Sequence, residues 1–382
     1  MKFIHMADLH LGKKLGERNL HEDQQVILTQ IISIITNRDV DAVLISGDIY
    51  DKNNPGIDAI ELFESFLVSL SKINIPVFII YGNHDSAERL SYGKEFLELH
   101  NIYITDLYDG NILQKELSDE FGNLSVYLLP YIRINTVKHY FPGEKIDTLD
   151  DAVRNVVSGI DLNKDNRNII LAHQFVVHNA AKPRTCESEI NSIGDIDEIH
   201  ADIFDDFDYV ALGHLHECQS IGKKTIHYPG SPLKYSKSEK NHIKSVTLVT
   251  MKDKGDVMLE KIPLKPLHDL REIKGPSLRL LSNEIIKAGD CNDYVYVTFT
   301  DDSLSENIIS KVAQAYPNYI SIEREVKHTE SIHNFRKIFE LEKLNPIDIF
   351  SEFYEKQVGE QMNEQQRTIV KGIFDEISRG RE

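Results

Sequence analysis

The chain has no tryptophan and only three cysteines among its 382 residues. Cys186, Cys218 and Cys291 are odd in number, far apart and without a CxxC pair, which argues against a disulfide framework or a zinc–thiolate site. We therefore expect free thiols in a reducing cytoplasm. No apolar run approaches membrane-spanning length, and the N-terminus reaches Asp8 too soon for a signal peptide. These absences predict a cytoplasmic protein without a membrane segment.

Positive charge is also scarce. The chain has 43 Lys and Arg residues against 61 Asp and Glu residues, which gives a net charge of −18. Nucleic-acid binding is usually driven by Lys and Arg that neutralise phosphates, so this balance argues against tight DNA binding by the chain alone. DNA is not excluded as a substrate, because bound divalent ions reverse the local charge and a partner protein can supply a basic surface. Charge alone leaves both possibilities open.

Buried apolar runs alternate with amphipathic segments in the first part of the chain. Strands are predicted at 2–7, 42–46 and 77–81, with a helix at about 21–38 and a second helix after Gly56. This βαβαβ order predicts a largely parallel sheet covered by helices. Further along, the pattern predicts a helix at 88–99, strands near 102–105, 124–129, 169–172 and 208–212, and an antiparallel hairpin at 245–251 and 257–262.

The sequence pattern in the remaining part of the chain predicts two smaller structural regions. The proline-containing stretch 261–276 is typical of a linker, and a strand at 294–299, a helix at about 303–315 and a strand at 319–323 follow it. Helices are predicted at 347–357 and 363–378, the second with a capping-box pattern at Asn363 and Gln366. We therefore predict a large domain over 1–262, a small α+β domain over 266–330 and a helical segment over 336–382.

Polar side chains with metal-binding chemistry follow five of the predicted strands. In an α/β sheet, ligands collect at the carboxyl ends of parallel strands. One Asp or His after a strand is usually a turn or cap residue, but five such strand ends in one chain are poorly explained by coincidence. Mixed O and N ligands without thiolate suit Mn²⁺, Fe²⁺ or Zn²⁺ better than Ca²⁺ or Mg²⁺. The strand ends carry Asp8 and His10, Asp48, Asn83 and His84, His173, and His214 and His216.

These motifs resemble those of the calcineurin-like metallophosphoesterases. The resemblance rests on Asp8-x-His10, Gly47-Asp48-x-x-Asp51, Gly82-Asn83-His84-Asp85, His173 and Gly213-His214-x-His216. Longer blocks at 7–13, 82–90, 209–216 and 230–236 are similar to the nuclease subunits that this family contributes to bacterial DNA repair. The resemblance weakens after about residue 330. Glu217-Cys218-Gln219 after His216 depart from many relatives, and Gln174 after His173 lies in a region that varies. These departures bear on substrate preference and not on the ligands.

The resemblance implies two stacked β-sheets flanked by helices, a capping domain and a two-metal centre. It assigns one metal to Asp8, His10 and His216, a second metal to Asn83, His173 and His214, and the bridge between them to Asp48. The two divalent ions are expected to be Mn²⁺. His84 adjoins the site and is a candidate general acid. Asp85 is expected to orient the loop or the His84 ring, with a plain turn as the alternative, and Asp51 to order the Asp48 loop. His178 lacks such support and is taken as a surface or outer residue.

The implied function is a metal-dependent DNA nuclease in repair, recombination and replication. The resemblance implies a 3′→5′ exonuclease on duplex DNA and an endonuclease on single strands, associated with the nucleoid. It also implies a coiled-coil ATPase partner that binds the C-terminal helices, and a homodimer formed through 88–99 within a heterotetramer. One alternative is a metallophosphatase or phosphodiesterase that acts on a non-DNA phosphoester, which does not need the long segment after residue 262. A non-catalytic scaffold is the other, and the complete ligand set argues against it.

Overall fold

The structure is a computed structural model that describes residues 1–179, 182–189, 198–325, 347, 350–351, 354–355 and 359–379. The chain forms two compact units, Met1–Glu325 and Val326–Glu382. Among the described residues, no helix combines the length and apolar composition needed to cross a bilayer.

The first unit contains strands and helices in alternation. Its strands are β1 (Lys2–Met6), β2 (Lys14–Leu15), β3 (Arg18–Asn19), β4 (Ala42–Ser46), β5 (Val77–Ile80), β6 (Ile102–Ile104), β7 (Leu113–Asp119), β8 (Gly122–Leu129), β9 (Arg167–His173), β10 (Phe175–Val177), β11 (Glu198–His200), β12 (Tyr209–Gly213), β13 (Gln219–Ser220), β14 (Ile226–Tyr228), β15 (Ser245–Met251), β16 (Val257–Pro263), β17 (Leu270–Gly275), β18 (Tyr294–Phe299) and β19 (Tyr319–Arg324). Its helices are α1 (His21–Asn37), α2 (Ile57–Ile73), α3 (Ala87–Leu90), α4 (Lys94–Glu98), α5 (Ile134–Tyr140), α6 (Leu149–Ser158), α7 (Ser277–Leu280), α8 (Asn283–Lys287) and α9 (Ile308–Ala315).

Two six-stranded sheets form the centre of this unit. Their strand orders are β16-β15-β1-β4-β5-β6 and β13-β14-β12-β9-β8-β7. Strands β1, β4, β5 and β6 are parallel to one another, and the β15–β16 hairpin adds two antiparallel strands at one edge. Fully buried side chains from both sheets, such as Phe78 of β5 and Leu171 of β9, pack into one cluster between the sheets. The predicted fold class of stacked sheets flanked by helices is confirmed.

Helices cover the outer faces because their apolar residues recur at helical spacing. Ile27, Ile31 and Ile35 of α1 are buried against the first sheet, in the same cluster as Phe66 and Leu70 of α2. Helices α5 and α6 cover the second sheet in the same way. These two helices and strand β7 were not predicted from the sequence.

Two sequence predictions are wrong. The helix expected at 88–99 is two short helices, α3 and α4, separated at Gly93, whose φ of 76° is left-handed and ends a continuous helix. The linker expected at 261–276 is largely strand, because Pro263 ends β16 and Leu270–Gly275 forms β17. Pro263 is tolerated because β16 is the edge strand of its sheet.

The residues after β16 form a small parallel sheet in the order β17-β18-β19. Its core contains Val297 and Phe299 of β18 with Val312 of α9. This sheet contacts α1 through Asp23, whose carboxylate accepts hydrogen bonds from the Tyr294 hydroxyl (2.8 Å) and the His268 backbone N–H (2.8 Å). The small sheet therefore lies in the same compact unit as the two large sheets. The predicted domain boundaries at 262 and 330 stay predictions.

In the second unit, the helix α10 (Glu364–Arg379) is described. Its capping box forms as predicted, since Gln366 N–H donates to Asn363 Oδ1 and Asn363 N–H donates to Gln366 Oε1, both at 2.9 Å. The helix predicted at 347–357 and the boundary at 336 lie mostly outside the described residues.

Candidate metal centre

The loops after the central strands meet at one edge of the stacked sheets. Asp8 N–H donates to the Gly47 carbonyl and His10 N–H to the Asp48 carbonyl, each at 3.0 Å, so the loops after β1 and β4 are bound to each other. The second sheet contributes His173, the last residue of β9, and His214, the first residue after β12. Both sheets therefore supply side chains to the same edge.

The backbone at this edge is unusually strained. Asp8, His10, Asp48 and His214 have φ values of 55°, 43°, 50° and 106°. Residues other than glycine rarely adopt left-handed conformations, which cost on the order of 1–3 kcal/mol each and persist where the surroundings hold them. Such residues cluster at functional sites, so this clustering is an observation in favour of a site that is independent of side-chain chemistry.

Two glycines are required because the loops approach so closely. A Cβ on Gly82 would lie 2.2 Å from Asp48 Oδ1, and a Cβ on Gly213 would lie 1.8 Å from the Ser46 carbonyl oxygen. The φ of Gly82 is not positive, so this glycine is needed for space and not for a left-handed backbone.

The three residues assigned to one metal lie together. Ligand atoms of Asp8, His10 and His216 are all within 4.8 Å of one another, and the three side chains are buried. The Nε2 atoms of His10 and His216 are 3.1 Å apart.

The three residues assigned to the other metal also converge. Asn83 Oδ1 lies 3.0 Å from His173 Nε2 and 3.1 Å from His214 Nδ1. His173 Nδ1 donates to the Ser46 carbonyl at 2.7 Å, which orients the ring with Nε2 towards Asn83.

Asp48 lies between the two groups. Its Oδ2 is 3.4 Å from His173 Nε2 and 3.7 Å from His10 Nε2, whereas its Oδ1 accepts a 2.9 Å hydrogen bond from His84 N–H. Asp8 is also close to the second group, because its carboxylate lies within 4.8 Å of ligand atoms of both Asp48 and His173. The sequence did not indicate that proximity.

Burial and mutual charge shift the pKa values at this edge. Burial lowers the pKa of His214 to about 3, with a further decrease from His173, and it also lowers the pKa of His10 and His216. Burial would lower the pKa of His173 as well, but the carboxylate of Asp48 outweighs it and raises that pKa to about 9. Burial likewise opposes ionisation of Asp48, yet His173 and His10 hold its pKa well below the usual range.

The residues present fit divalent cations. Ring nitrogens of His10 and His216 face each other, and ring nitrogens of two further histidines face Asn83 Oδ1, so several donor atoms converge beside the carboxylates of Asp8 and Asp48. The negative charge of these two carboxylates also raises the pKa of His173. His10 Nδ1 is buried and makes no hydrogen bond within the described part of the chain. Mixed carboxylate, amide and imidazole donors are typical of Mn²⁺, Fe²⁺ and Zn²⁺.

His84 lies beside this centre. Its Nδ1 donates to the Asp51 carbonyl at 2.8 Å, which leaves Nε2 as the ring nitrogen that can exchange a proton. The ring centroid is 4.8 Å from that of His10. Asp51 thus contacts His84 through its backbone.

Asp85 joins the two loops that carry Asp48 and Asn83. Its buried carboxylate accepts hydrogen bonds from the backbone N–H groups of Gly82 (2.9 Å), Tyr50 (2.9 Å) and Ile49 (3.1 Å). Burial and the charge of Asp48 raise the pKa of Asp85 to about 6, although these hydrogen bonds oppose the rise. Of the three roles considered for Asp85, these contacts favour orientation of the loop over orientation of the His84 ring.

Several neighbours of the centre were not found from the sequence. Ser188, Glu189 and Glu239 contact His216, and Gln24 Nε2 donates to the His10 carbonyl at 2.7 Å. The only signal was the block at 230–236, which precedes Glu239 but had no assigned role. His178 is exposed, in keeping with its treatment as a surface residue.

Comparisons with known proteins found matches over most of the chain. Residues 1–218 match the family described as calcineurin-like phosphoesterase, and residues 266–358 match the type 5 capsule protein repressor C-terminal domain. A curated relative from Staphylococcus epidermidis, described as the D component of the nuclease SbcCD, is 32% identical over 383 residues, covering 99% of each chain.

Two solved structures show weaker similarity. A dimetal phosphatase from Danio rerio has a TM-score of 0.43 at 13% identity, covering 70% of this chain and 98% of that one. GAP50, described as the anchor in the inner membrane complex of Plasmodium, has a TM-score of 0.38 at 14% identity, covering 86% of this chain and 98% of that one. TM-scores this low support no further conclusion.

Proposed function

The chain belongs to the calcineurin-like phosphoesterase family and, within it, to the SbcD nuclease subunits, and from this premise we propose that it cleaves DNA with two Mn²⁺ ions at the edge described above. Membership of this family makes it a metal-dependent phosphodiesterase. The observation that carries the two-ion proposal is the position of Asp48 Oδ2, which is 3.7 Å from His10 Nε2 in one ligand group and 3.4 Å from His173 Nε2 in the other.

Each ligand has a defined part in this proposal. Two bound cations would supply an activated water and neutralise the charge that develops on the scissile phosphate. The first ion would be held by Asp8, His10 and His216, the second by Asn83, His173 and His214, and Asp48 would bind both. Their buried imidazoles stay available as neutral donors where burial lowers the pKa, as at His10, His214 and His216.

His84 is proposed as the general acid. Because Nδ1 is engaged by the Asp51 carbonyl, the ring is held in one orientation and Nε2 can deliver a proton to the departing sugar oxygen. In this proposal His84 acts in proton transfer and not as a metal ligand, although a ring nitrogen of His84 lies within 4.8 Å of ligand atoms of His10 and Asp48.

DNA is favoured over a small phosphoester by the rest of the chain. The family match over 266–358 and the β17–β19 sheet show that the molecule continues well past the strands that carry the ligands. We propose that residues 266–330 cap the metal edge and shape the DNA. The net charge of −18 fits a nuclease whose partner, an SbcC-like ATPase, contributes the DNA-binding charge.

Exposed Ile369 and Ile373, four residues apart on α10, support a partner surface in the second unit. Such a complex would associate with the nucleoid.

We expect the purified chain with Mn²⁺ to degrade linear duplex DNA from its 3′ ends, to cut single-stranded circles, and to work faster when the ATPase is added. Duplexes labelled at either the 3′ or the 5′ end, resolved on denaturing gels, report the polarity. Hydrolysis of p-nitrophenyl phosphate without cleavage of any DNA would instead favour the metallophosphatase.

A homodimer is proposed through the segment that follows the Asn83 loop. Tyr92, Phe96 and Leu99 are exposed by 87%, 65% and 79%, and they lie within eight positions of one another. An exposed apolar patch of this kind is typical of a protein–protein contact. In this proposal, the dimer forms a heterotetramer with two ATPase subunits.

The double variant Phe96→Asp/Leu99→Asp is expected to be monomeric, because two buried charges would oppose association of the patch with its copy. Light scattering after gel filtration should give the chain mass of 43.8 kDa, against twice that mass for the unaltered protein. Leu278→Asp, at a residue 90% exposed elsewhere, is the matched control and should remain dimeric. An unaltered protein that is monomeric at micromolar concentration contradicts the proposal.

A further inference from the structure

We propose that Glu239 is a positioning residue that orients the His216 imidazole through the hydroxyl of Ser188. This inference rests on the proposed function, because it concerns a ligand of the same two-metal centre. Glu239 is fully buried, and neither it nor Ser188 belongs to the strand-end motifs.

The order of hydrogen bonds defines the His216 tautomer. The Ser188 hydroxyl donates to Glu239 Oε1 at 2.6 Å, because an ionised carboxylate can only accept. The same Ser188 oxygen lies 2.8 Å from His216 Nδ1, so it must accept a hydrogen bond from the N–H of that nitrogen. His216 therefore carries its proton on Nδ1, and its Nε2 lone pair faces His10 and the metal position.

Glu239 is itself held in place by the segment that surrounds it. Its Oε1 also accepts from the Ser236 hydroxyl at 2.8 Å, and its Oε2 accepts from Lys244 Nζ at 2.5 Å. Lys244 in turn donates to the His216 carbonyl at 2.9 Å and to the Ser231 hydroxyl at 2.8 Å. The segment 231–244 therefore contacts the His216 ring through Glu239 and Ser188, and it contacts the His216 backbone through Lys244. Ser231 and Ser236, which bind Lys244 and Glu239, give the block at 230–236 a physical role.

The two metal positions differ in how their histidines are supported. His173 donates from Nδ1 to a neutral acceptor, the Ser46 carbonyl, at 2.7 Å. His216 instead donates towards a buried carboxylate, with Ser188 between them. A carboxylate partner makes the imidazole a better metal donor and holds its tautomer, and loss of such a partner typically costs about 10–100-fold in metal affinity. Loss of Glu239 should therefore weaken the binding of one cation and leave the affinity for the other cation unchanged.

The test is a Mn²⁺ titration of the full-length protein, monitored by calorimetry and by the electron paramagnetic resonance signal of free Mn²⁺. The unaltered protein should bind two ions. In Glu239→Gln, the dissociation constant of one ion should rise about 10–100-fold, with the second ion unaffected. Ser188→Ala should weaken binding of the same ion. The double variant should bind that ion no more weakly than Glu239→Gln does, because both residues act through one chain of hydrogen bonds.

Two controls separate orientation from folding. Glu187→Gln makes the same chemical change at an exposed residue in the Ser188 loop and should bind both ions normally. Because Glu239→Gln leaves Lys244 buried without its carboxylate, Glu239→Gln/Lys244→Met provides a variant without an unpaired charge. Circular dichroism checks that each variant is folded. If Glu239→Gln does not fold, the titrations of Ser188→Ala and of the paired variant decide the result.

The tautomer supplies a readout that general loosening of the fold would not change. Nitrogen NMR of ¹⁵N-histidine-labelled protein without metal should show a protonated Nδ1 at His216, and Ser188→Ala should shift this ring towards the other tautomer. Two ions bound with unchanged affinity in every folded variant would overturn the inference while leaving the nuclease proposal intact. An unaltered protein that binds fewer than two ions would instead contradict the two-metal proposal itself.

Discussion

Replacement of His84 by serine is expected to reduce DNA cleavage by about 10²–10⁴-fold, the range typical for loss of a general acid, while two Mn²⁺ ions remain bound. The physical reason is that the His84 ring contacts the Asp51 carbonyl through Nδ1, and each of the two proposed ligand groups has its full set of donors without His84. Serine lacks a nitrogen that could deliver a proton to the leaving oxygen. The His84 backbone N–H, which donates to Asp48 Oδ1, is retained in the variant.

Cleavage rates and Mn²⁺ content should be measured on the same preparations of this variant. His139→Ser makes the identical change at an exposed histidine outside the strand-end motifs and should keep full activity. If His84→Ser loses an ion in elemental analysis, then His84 is a ligand and its role as a general acid is wrong. If the variant retains both ions and cleaves DNA at the normal rate, His84 does not donate the proton to the leaving group and is not the general acid.

Asp48→Asn is expected to have the largest effect of any single substitution, because both cations should bind weakly and cleavage should fall below detection. Asp48 Oδ2 lies beside His10 and His173, one from each ligand group, so neutralising it removes negative charge from both positions at once. The amide can keep its oxygen on the His84 N–H, which limits damage to the loop.

Thermal unfolding with and without Mn²⁺ measures this loss independently of activity. A ligand that binds only the folded state at a hundred times its dissociation constant adds about 2.7 kcal/mol of stability. The unaltered protein should therefore melt at a higher temperature with Mn²⁺, and Asp48→Asn should show almost no shift. Asp58→Asn, at an exposed residue of α2, is the matched control and should respond like the unaltered protein. An equal Mn²⁺ shift in Asp48→Asn would show that this carboxylate does not join the two positions.

Local sequence patterns were sufficient for the strands that carry the centre. Strands β4 and β5 are short apolar runs in which every residue is buried, so their length and composition identify them without knowledge of their neighbours. The segment after Asn83 was predicted less well. Its apolar residues suggested one helix, but Gly93 divides it, and Tyr92 and Phe96 remain exposed. Helical spacing alone does not reveal such a break.

The region after residue 260 shows how tertiary context changes the interpretation of proline. Three prolines indicated a linker, yet Pro263 lies at an edge strand and Pro276 immediately follows β17. Neither proline removes a hydrogen bond that an inner strand would need. The charged residues between them conceal β17, whose buried Leu270 and Ile273 pack in different clusters.

The sequence by itself determined the chemistry of this protein: the fold class and the donor types placed after its strands. Strand ends are local, and parallel strands bring their carboxyl ends to one edge whatever their order. Only the tertiary structure decided which donors face each other, where the backbone is left-handed, and which outer residues support the ligands. Ser188 and Glu239 are 51 positions apart, and they meet at His216 only because separate loops pack behind it. Contacts of that kind depend on how distant segments of the chain pack together, and the local spacing of residues does not reveal that packing.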